Sequence, residues 1–175
     1  MHYTDFLKAT VMLMAAEATA LGAVTVAAAS AREDTTTIVV GVAWWAVAAL
    51  LGGWLGRRPQ TTAAIGRLLA QARAITTLPE IRPAVVMLNR LWLVAVSTVL
   101  AAGLSWLFPQ LAAVVAGGAI LIALAWRRQE AAVTAIEERD GVRYYVVPSS
   151  PFRAIELVRT AGLRRLGALN GDGRP

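Results

Sequence analysis

The chain contains no cysteine and a single histidine, His2. The missing thiols exclude disulfides, iron–sulfur clusters and thiolate metal sites. One histidine at the N-terminus also excludes a haem held by paired histidines across a helical bundle. The sequence has no glycine-rich phosphate loop and no serine–histidine or cysteine–histidine pair. We therefore predict no cofactor and no metal, and we expect a protein that is not an enzyme.

Charge is almost absent from four long apolar runs, at residues 6–29, 38–55, 91–108 and 111–126. At about 1.5 Å per residue, these runs make helices of roughly 24–36 Å, close to a hydrocarbon core of ~30 Å. A hydrophobic fraction of 57% also excludes an ordinary soluble domain. The predicted fold class is all-α integral membrane, with four transmembrane helices arranged as two hairpins.

The runs divide the chain into four parts. They are transmembrane hairpin 1 (1–56), a cytoplasmic amphipathic loop (57–90), transmembrane hairpin 2 (91–126) and a small cytoplasmic tail (127–175). The third helix begins near residue 91, with an extension back to residue 84 as the alternative. In the loop, apolar residues recur at helical spacing, which predicts a helix in the inner headgroup plane or, alternatively, one packed on a partner protein. These residues are Ile65, Leu68, Leu69, Ala72 and Ile75.

Positive charge lies on one side of the apolar runs. Of the 17 Lys and Arg residues, only Arg32 falls between runs one and two, and none falls between runs three and four. By the positive-inside rule, the charged side and both termini are cytoplasmic. The Ala- and Arg-rich composition favours a bacterium and hence its inner membrane.

The net charge of +6 is accounted for by this topology, so we predict a lipid bilayer and no nucleic acid as partner. Each basic residue beside a membrane segment is attracted to anionic headgroups by about 1 kcal/mol. The arginines placed for such contacts are Arg57, Arg58, Arg90, Arg127 and Arg128.

The tail carries its own structural signals. Helix four continues to about Arg139, and Asp140-Gly141 predicts its end. Residues 142–147 have high strand propensity, and residues 153–160 form either the return strand of a β-hairpin or a short amphipathic helix. Because an isolated hairpin is marginal in water, this tail indicates something to pair with or lie on.

Glu17 lies near the middle of the first apolar run. A charged carboxylate there costs about 2.5–3.5 kcal/mol on insertion scales, so the residue needs a structural or functional reason. One hypothesis is a proton- or cation-coupled site in the bundle. The other, which we favour because the runs contain no second carboxylate, is a neutral acid that bonds a neighbouring helix and fixes its register.

Small residues predict close helix packing in three of the four runs. The adjacent Trp44 and Trp45 lie within helix two, where they fill the bundle or, alternatively, line a ligand groove. The positions that predict helix packing are Ala15, Ala18, Gly22, Gly52, Gly56, Gly117 and Gly118.

The four-helix layout with one glutamate in helix one is superficially similar to small multidrug resistance transporters. That resemblance rests on Glu17 and implies a homo-oligomeric proton- or cation-coupled transporter or pore. The one-sided charge, the long inner loop and the tail are foreign to such compact transporters. We therefore expect a non-catalytic subunit or accessory scaffold of a larger membrane complex, with a membrane protein as partner, and keep the transporter as the alternative.

The topology predicts the labelling of single cysteines by a membrane-impermeant reagent in intact cells. Thr36→Cys, in the predicted outer link, should react from outside, whereas Thr61→Cys, in the inner loop, should react only after the cells are permeabilised. The reverse pattern would contradict the predicted orientation.

Overall fold

The computed structural model describes residues 1–57, 66, 69–70, 72–74, 83–147 and 155–161. The described part contains four helices that are long and apolar enough to cross a membrane, further helical residues at 66 and 69–70, and three short strands. The predicted four apolar helices are confirmed, while their insertion stays a prediction. In chain order the elements are α1 Tyr3–Ser30, α2 Thr35–Leu55, β1 Arg73–Ala74, α3 Pro83–Leu104, α4 Pro109–Asp140, β2 Val142–Val146 and β3 Leu157–Ala161.

The third helix is displaced from its apolar run. It begins at Pro83, as the alternative with an early start anticipated, and ends at Leu104 rather than at residue 108. The backbone N–H groups of Leu107 and Phe108 both donate hydrogen bonds to the Leu104 carbonyl oxygen, with N···O distances of 2.9 and 2.8 Å. Pro109 then occupies the first turn of α4, where its missing N–H leaves no helical hydrogen bond unmade.

The last helix, α4, is the centre of the bundle, with its most extensive contacts to α1 and then α2. Buried alanines line one of its faces at helical spacing, and small side chains let helices approach closely. With 32 residues, or about 48 Å at 1.5 Å each, α4 is longer than a ~30 Å hydrocarbon core. The buried alanines on this face are Ala112, Ala116, Ala119 and Ala123, and Ala113 is buried beside them.

The links α1–α2 and α3–α4 meet at one end of the bundle, here called the loop end. Arg32 Nη1 donates to the Leu107 carbonyl at 3.2 Å across the two links. Asp34 caps α2 by accepting from the Thr37 backbone N–H at 3.0 Å. The hydrogen bond from the Thr37 side chain lowers the pKa of the Asp34 carboxyl below its ordinary value. Gln110 Nε2 also donates to Thr37 Oγ1, at 3.2 Å, which joins α4 to this cap.

The opposite end carries a three-stranded sheet and is here called the sheet end. The strand order is β1-β3-β2, with β1 parallel and β2 antiparallel to β3. Gly141 ends α4 in the left-handed conformation, at φ 61°, a backbone geometry that glycine adopts without steric cost. The chain start extends the sheet: the Val146 N–H donates to the Met1 carbonyl at 2.9 Å, and His2 pairs with Tyr145.

One face of this sheet is buried against the helix ends. Tyr144 and Val146 of β2 and Leu157 of β3 share a core with residues from α1, α3 and α4, among them Phe6 and Val133. Alternate strand residues point to opposite sheet faces, so the same strands leave the other face outward. The apolar inner face therefore fixes the sheet to the bundle.

The structure distinguishes between the two predictions for the tail. A β-hairpin forms, since β2 and β3 pair over five residues, and the alternative of a short helix is wrong for residues 157–161. The sheet also finds its covering surface within this chain, on α1, α3 and α4. The surface that the strand propensity of the tail indicated is thus supplied, for the described strands, by the same chain.

The predicted amphipathic inner helix lies mostly outside the described residues. Of the apolar positions that predicted it, Leu69 and Ala72 are described, and both are buried in the core beneath the sheet. Arg73 and Ala74, which the predicted helix included, instead form β1 beside β3. This strand was missed because two residues carry too little pattern to indicate pairing with a segment more than eighty residues away.

We predict that Phe6→Ala loosens the sheet end. Phe6 is 2% exposed beneath the sheet, and truncating such a buried ring costs about 3–5 kcal/mol. Hydrogen exchange of the β2 and β3 amides should accelerate. Met12→Ala, on the same helix but 74% exposed, is the control and should leave that exchange unchanged. Unaltered protection in the Phe6 variant would contradict the proposed fixing of the sheet.

Candidate functional site

Glu17 is buried between three helices. It is 7% exposed and belongs to a continuous buried stripe on α1, one turn from Met14 and one turn from Leu21. Met14 packs with Ala119 and Ala123 of α4, so this stretch of α1 faces the central helix. The carboxyl therefore lies inside the chain's own bundle.

The partner of Glu17 is Thr98 on α3. Thr98 Oγ1 lies 2.7 Å from Glu17 Oε1 and 2.8 Å from the Val94 carbonyl oxygen one turn earlier. The Thr98 hydroxyl has one proton for two acceptors. Thr98 can donate that proton to Glu17 or to Val94, so its hydroxyl links the carboxyl on α1 to α3.

This hydrogen bond joins two helices that otherwise touch little. Contacts of α3 with α1 and with α4 are far fewer than those between α1 and α4. A polar bond inside an apolar bundle is geometrically specific, and it fixes rotation and translation where packing is sparse. The geometry thus favours the structural role of Glu17, as a register contact.

The glycines Gly52 and Gly56 at the α2–α4 contact leave little room for a side chain. A Cβ on Gly52 would lie 2.8 Å from the Leu121 carbonyl oxygen, and one on Gly56 would lie 3.2 Å from that of Leu124. The Trp44 indole lies directly over Gly117, whereas a Cβ on Gly118 would meet nothing within 4 Å. The structure therefore brings all of these glycines except Gly118 into close helix contacts.

The alanine-rich face of α1 is only partly covered. Ala15 is exposed, Ala18 and Gly22 are half-buried, and Gly22 lies against the Trp45 ring. These residues line an open apolar groove of about 810 Å³ between α1, α2 and α4, here called the alanine groove. Its lining is Ala15, Ala18, Thr19, Gly22, Ala23, Val26, Ala27, Trp45, Ile120, Ala123 and Leu124.

The neighbouring Trp44 and Trp45 were predicted either to fill the bundle or to line a groove. Trp45 Nε1 donates to the Ala113 carbonyl at 2.9 Å, and its ring packs in the core near Leu21 while also lining the alanine groove. Trp44 Nε1 lies 3.3 Å from the Val114 carbonyl and borders a second cavity of about 430 Å³ near the loop end. Filling and lining therefore both occur.

The predicted headgroup arginines have different surroundings. Arg57, Arg127 and Arg128 are exposed at the sheet-end half of the molecule. Arg90 is half-buried and interacts electrostatically with Tyr3 of α1. Arg58 lies outside the described residues.

Sequence reasoning missed three polar contacts between these elements. Thr98 gave only a weak signal, as a hydroxyl in the middle of an apolar run. Lys8 Nζ lies 3.5 Å from Glu130 Oε1 and links α1 to α4 near the sheet end. His2 Nε2 lies 3.2 Å from Glu137 Oε1 without hydrogen-bond geometry, and the His2 ring meets Tyr145 edge-on.

Among the described residues, no group of three or more His, Asp or Glu side chains is placed to hold a metal ion. Comparison of the chain with protein-family models, curated proteins and solved structures gives no match.

We predict that Thr98→Val destabilises the bundle by about 0.6–1.7 kcal/mol, the range measured for hydrogen bonds between membrane helices. Glu17→Gln should be nearly silent, because an amide still bonds Thr98. The measurement is equilibrium unfolding in mixed micelles. Thr25→Val is the matched control, since Thr25 is buried on α1 but donates only to its own helix, to the Leu21 carbonyl at 2.8 Å.

A double-mutant cycle separates the hydrogen bond from local effects. Glu17→Leu and Thr98→Val should each cost stability, and their combination should cost less than the two losses added. Strict additivity would show that the two side chains do not interact and would remove the register role.

Proposed function

We propose that this chain is a non-catalytic, multi-pass membrane protein that acts as an accessory subunit of a larger membrane complex. Its setting would be the inner membrane of a bacterium, with both termini and the sheet end in the cytoplasm. The charge distribution supports this orientation: Lys8, Arg57, Arg127 and Arg128 lie towards the sheet end, and Arg32 lies at the loop end.

The sheet end supplies a docking platform for a partner. Its inner face is held by the buried core of Tyr144, Val146 and Leu157. A platform supported in this way is pre-organised, so a partner that binds it does not also bear the entropic cost of ordering it.

The outward face of the sheet carries two arginines, Arg73 and Arg143, and is here called the basic sheet face. Arg73 pairs with Val158, and Val158 pairs in turn with Tyr145, so these three side chains share a face. Arg143 lies two residues before Tyr145 and therefore on that face as well. Arg73 and Arg143 are both exposed. This basic sheet face is the observation that carries the proposal, and it fits a partner that presents carboxylates.

The bundle geometry favours a subunit over a transporter. A homo-oligomeric proton- or cation-coupled transporter or pore would require Glu17 to face a cavity shared between copies. Glu17 is instead 7% exposed and bonded to Thr98 of its own chain. Neither the alanine groove nor the cavity beside Trp44 includes Glu17.

The test is native mass spectrometry of the complex after gentle extraction from native membranes. We expect a mass that contains other polypeptides at a fixed ratio. The double variant Arg73→Glu/Arg143→Glu should release the partner, and raised salt should weaken the wild-type complex, because exposed charge pairs are screened.

The matched control is Arg73→Lys/Arg143→Lys, which keeps the charge and should keep the partner. A wild-type mass equal to one copy, or to an integer multiple of this chain alone, would overturn the subunit proposal. A complex that survives charge reversal would show that the partner binds elsewhere than on the basic sheet face.

A further inference from the structure

Residues 1–2 pair with the outer edge of β2. The Val146 N–H donates to the Met1 carbonyl at 2.9 Å, and His2 forms an isolated antiparallel bridge with Tyr145. The other edge of β2 is occupied by β3. An uncovered strand edge presents backbone N–H and C=O groups with which another strand can pair. Residues 1–2 cover part of that edge and are here called the strap.

The side chain of Glu137 on α4 holds the strap and β2 together. Glu137 Oε1 accepts a hydrogen bond from the Tyr144 backbone N–H at 3.0 Å and lies 3.2 Å from His2 Nε2. The other ring nitrogen of His2, Nδ1, lies within hydrogen-bonding distance of Thr4 Oγ1. One carboxylate oxygen therefore contacts both the strand and the segment that covers its edge.

The contact between His2 and Glu137 depends on the charge of the imidazole. The two side chains are only 21% and 10% exposed. Among the described residues, buried His2 Nε2 has no partner with hydrogen-bond geometry. Without a directed hydrogen bond, the two groups attract each other mainly as opposite charges, which requires a protonated ring. Histidine changes its charge between about pH 5 and 8, where carboxylates stay charged.

β2 and the end of α4 carry further polar and charged groups in this part of the molecule. The Tyr145 ring meets the His2 ring edge-on at 5.6 Å between centroids, and Arg143 lies two residues earlier on the same sheet face. Arg139 and Asp140 pair with each other at 2.8 Å. Tyrosine hydroxyls stay neutral, and arginine and carboxylate groups stay charged, over the range in which histidine titrates.

The α-amino group of Met1 acts in the opposite direction to His2. Burial lowers its pKa below the ordinary value, and this effect outweighs the attraction to Asp5. A base whose pKa is lowered in the folded state favours that state more as the pH rises. The attraction of a charged His2 to Glu137 instead weakens as the pH rises. The direction of the pH dependence therefore distinguishes the two groups.

We propose that the strap is a pH-dependent cover of the β2 edge, closed while His2 is charged and loosened when His2 becomes neutral. Both partners carry their charges near the acidic end of the histidine range, and the attraction is lost towards about pH 8. Loosening frees the Val146 N–H and opens the edge for pairing with another strand. The proposal goes beyond the proposed function and requires no partner protein.

The experiment measures amide exchange of the full chain in micelles by NMR between about pH 5.5 and 8. Each rate is divided by that of an unstructured peptide at the same pH, which removes the intrinsic pH dependence. Protection of the Val146 amide should fall roughly fivefold as the pH rises, the size expected for an accessible charge pair. Protection that stays constant, or that rises with pH as the Met1 amine alone would cause, overturns the proposal.

The Val147 amide is an internal control in the same measurement. Its N–H donates to the Glu156 carbonyl at 3.1 Å, at the side of β2 that faces β3. Its protection should stay constant while that of Val146 falls. An equal fall at both amides would show that the whole sheet loosens and would contradict a local strap.

His2 also reports its own charge. Because it is the only histidine of the chain, its ring resonances give the midpoint of its titration without ambiguity. The midpoint of the change in Val146 protection should coincide with that of the ring. Different midpoints would assign the change to another group and overturn the proposal.

Substitutions separate charge from shape. His2→Gln should leave Val146 weakly protected at every pH, and His2→Arg, which keeps a positive charge, should keep it protected at every pH. Glu137→Gln retains an oxygen for the Tyr144 N–H but removes the charge, so the pH dependence should disappear. The matched control is Glu138→Gln, the adjacent exposed carboxylate, which should behave as the wild type. A pH dependence that persists in His2→Gln would overturn the proposal.

Discussion

The close approach of α1 and α2 to α4 is the contact on which the rest of the structure depends. Buried alanines of α4, together with Gly52 and Gly56 of α2, let the helix axes approach closely. A side-chain atom on either glycine would lie within 3.2 Å of the α4 backbone. In an apolar surrounding such packing is a main source of attraction between helices, because lipid and leucine are equally apolar. Since α4 is the shared partner, its length and direction also determine where the sheet forms.

Two weaker attachments follow from that central contact. α3 has few contacts with the other helices, and the hydrogen bond between Glu17 and Thr98 links it to α1. The sheet is held by a small apolar core where α4 continues past the contact region, with Phe6 and Val133 beneath Val146. Incomplete packing between α1 and α2 leaves the alanine groove, so small residues produce a tight contact on one side of α1 and an open surface on another.

The positive charges have three different environments in the folded chain. Arg90 is half-buried and interacts with Tyr3, Lys8 pairs with Glu130 of α4, and Arg73 and Arg143 share the outward sheet face. Counting charges along the chain gives a membrane orientation and treats all of them alike. Their different environments follow from which helix face or sheet face each residue occupies.

The sequence by itself determined the four apolar helices, the end of α4 at Gly141 and the strand at residues 142–146, because run length, glycine and strand propensity are local properties. It also singled out Glu17, since a carboxylate in an apolar run is costly wherever the chain folds. Only the tertiary structure decided that Thr98 is its partner, that Arg73–Ala74 is a strand, and that Gly118 faces open space. Each of these depends on the rotation and register of segments distant in sequence, for which a single chain carries no local signal.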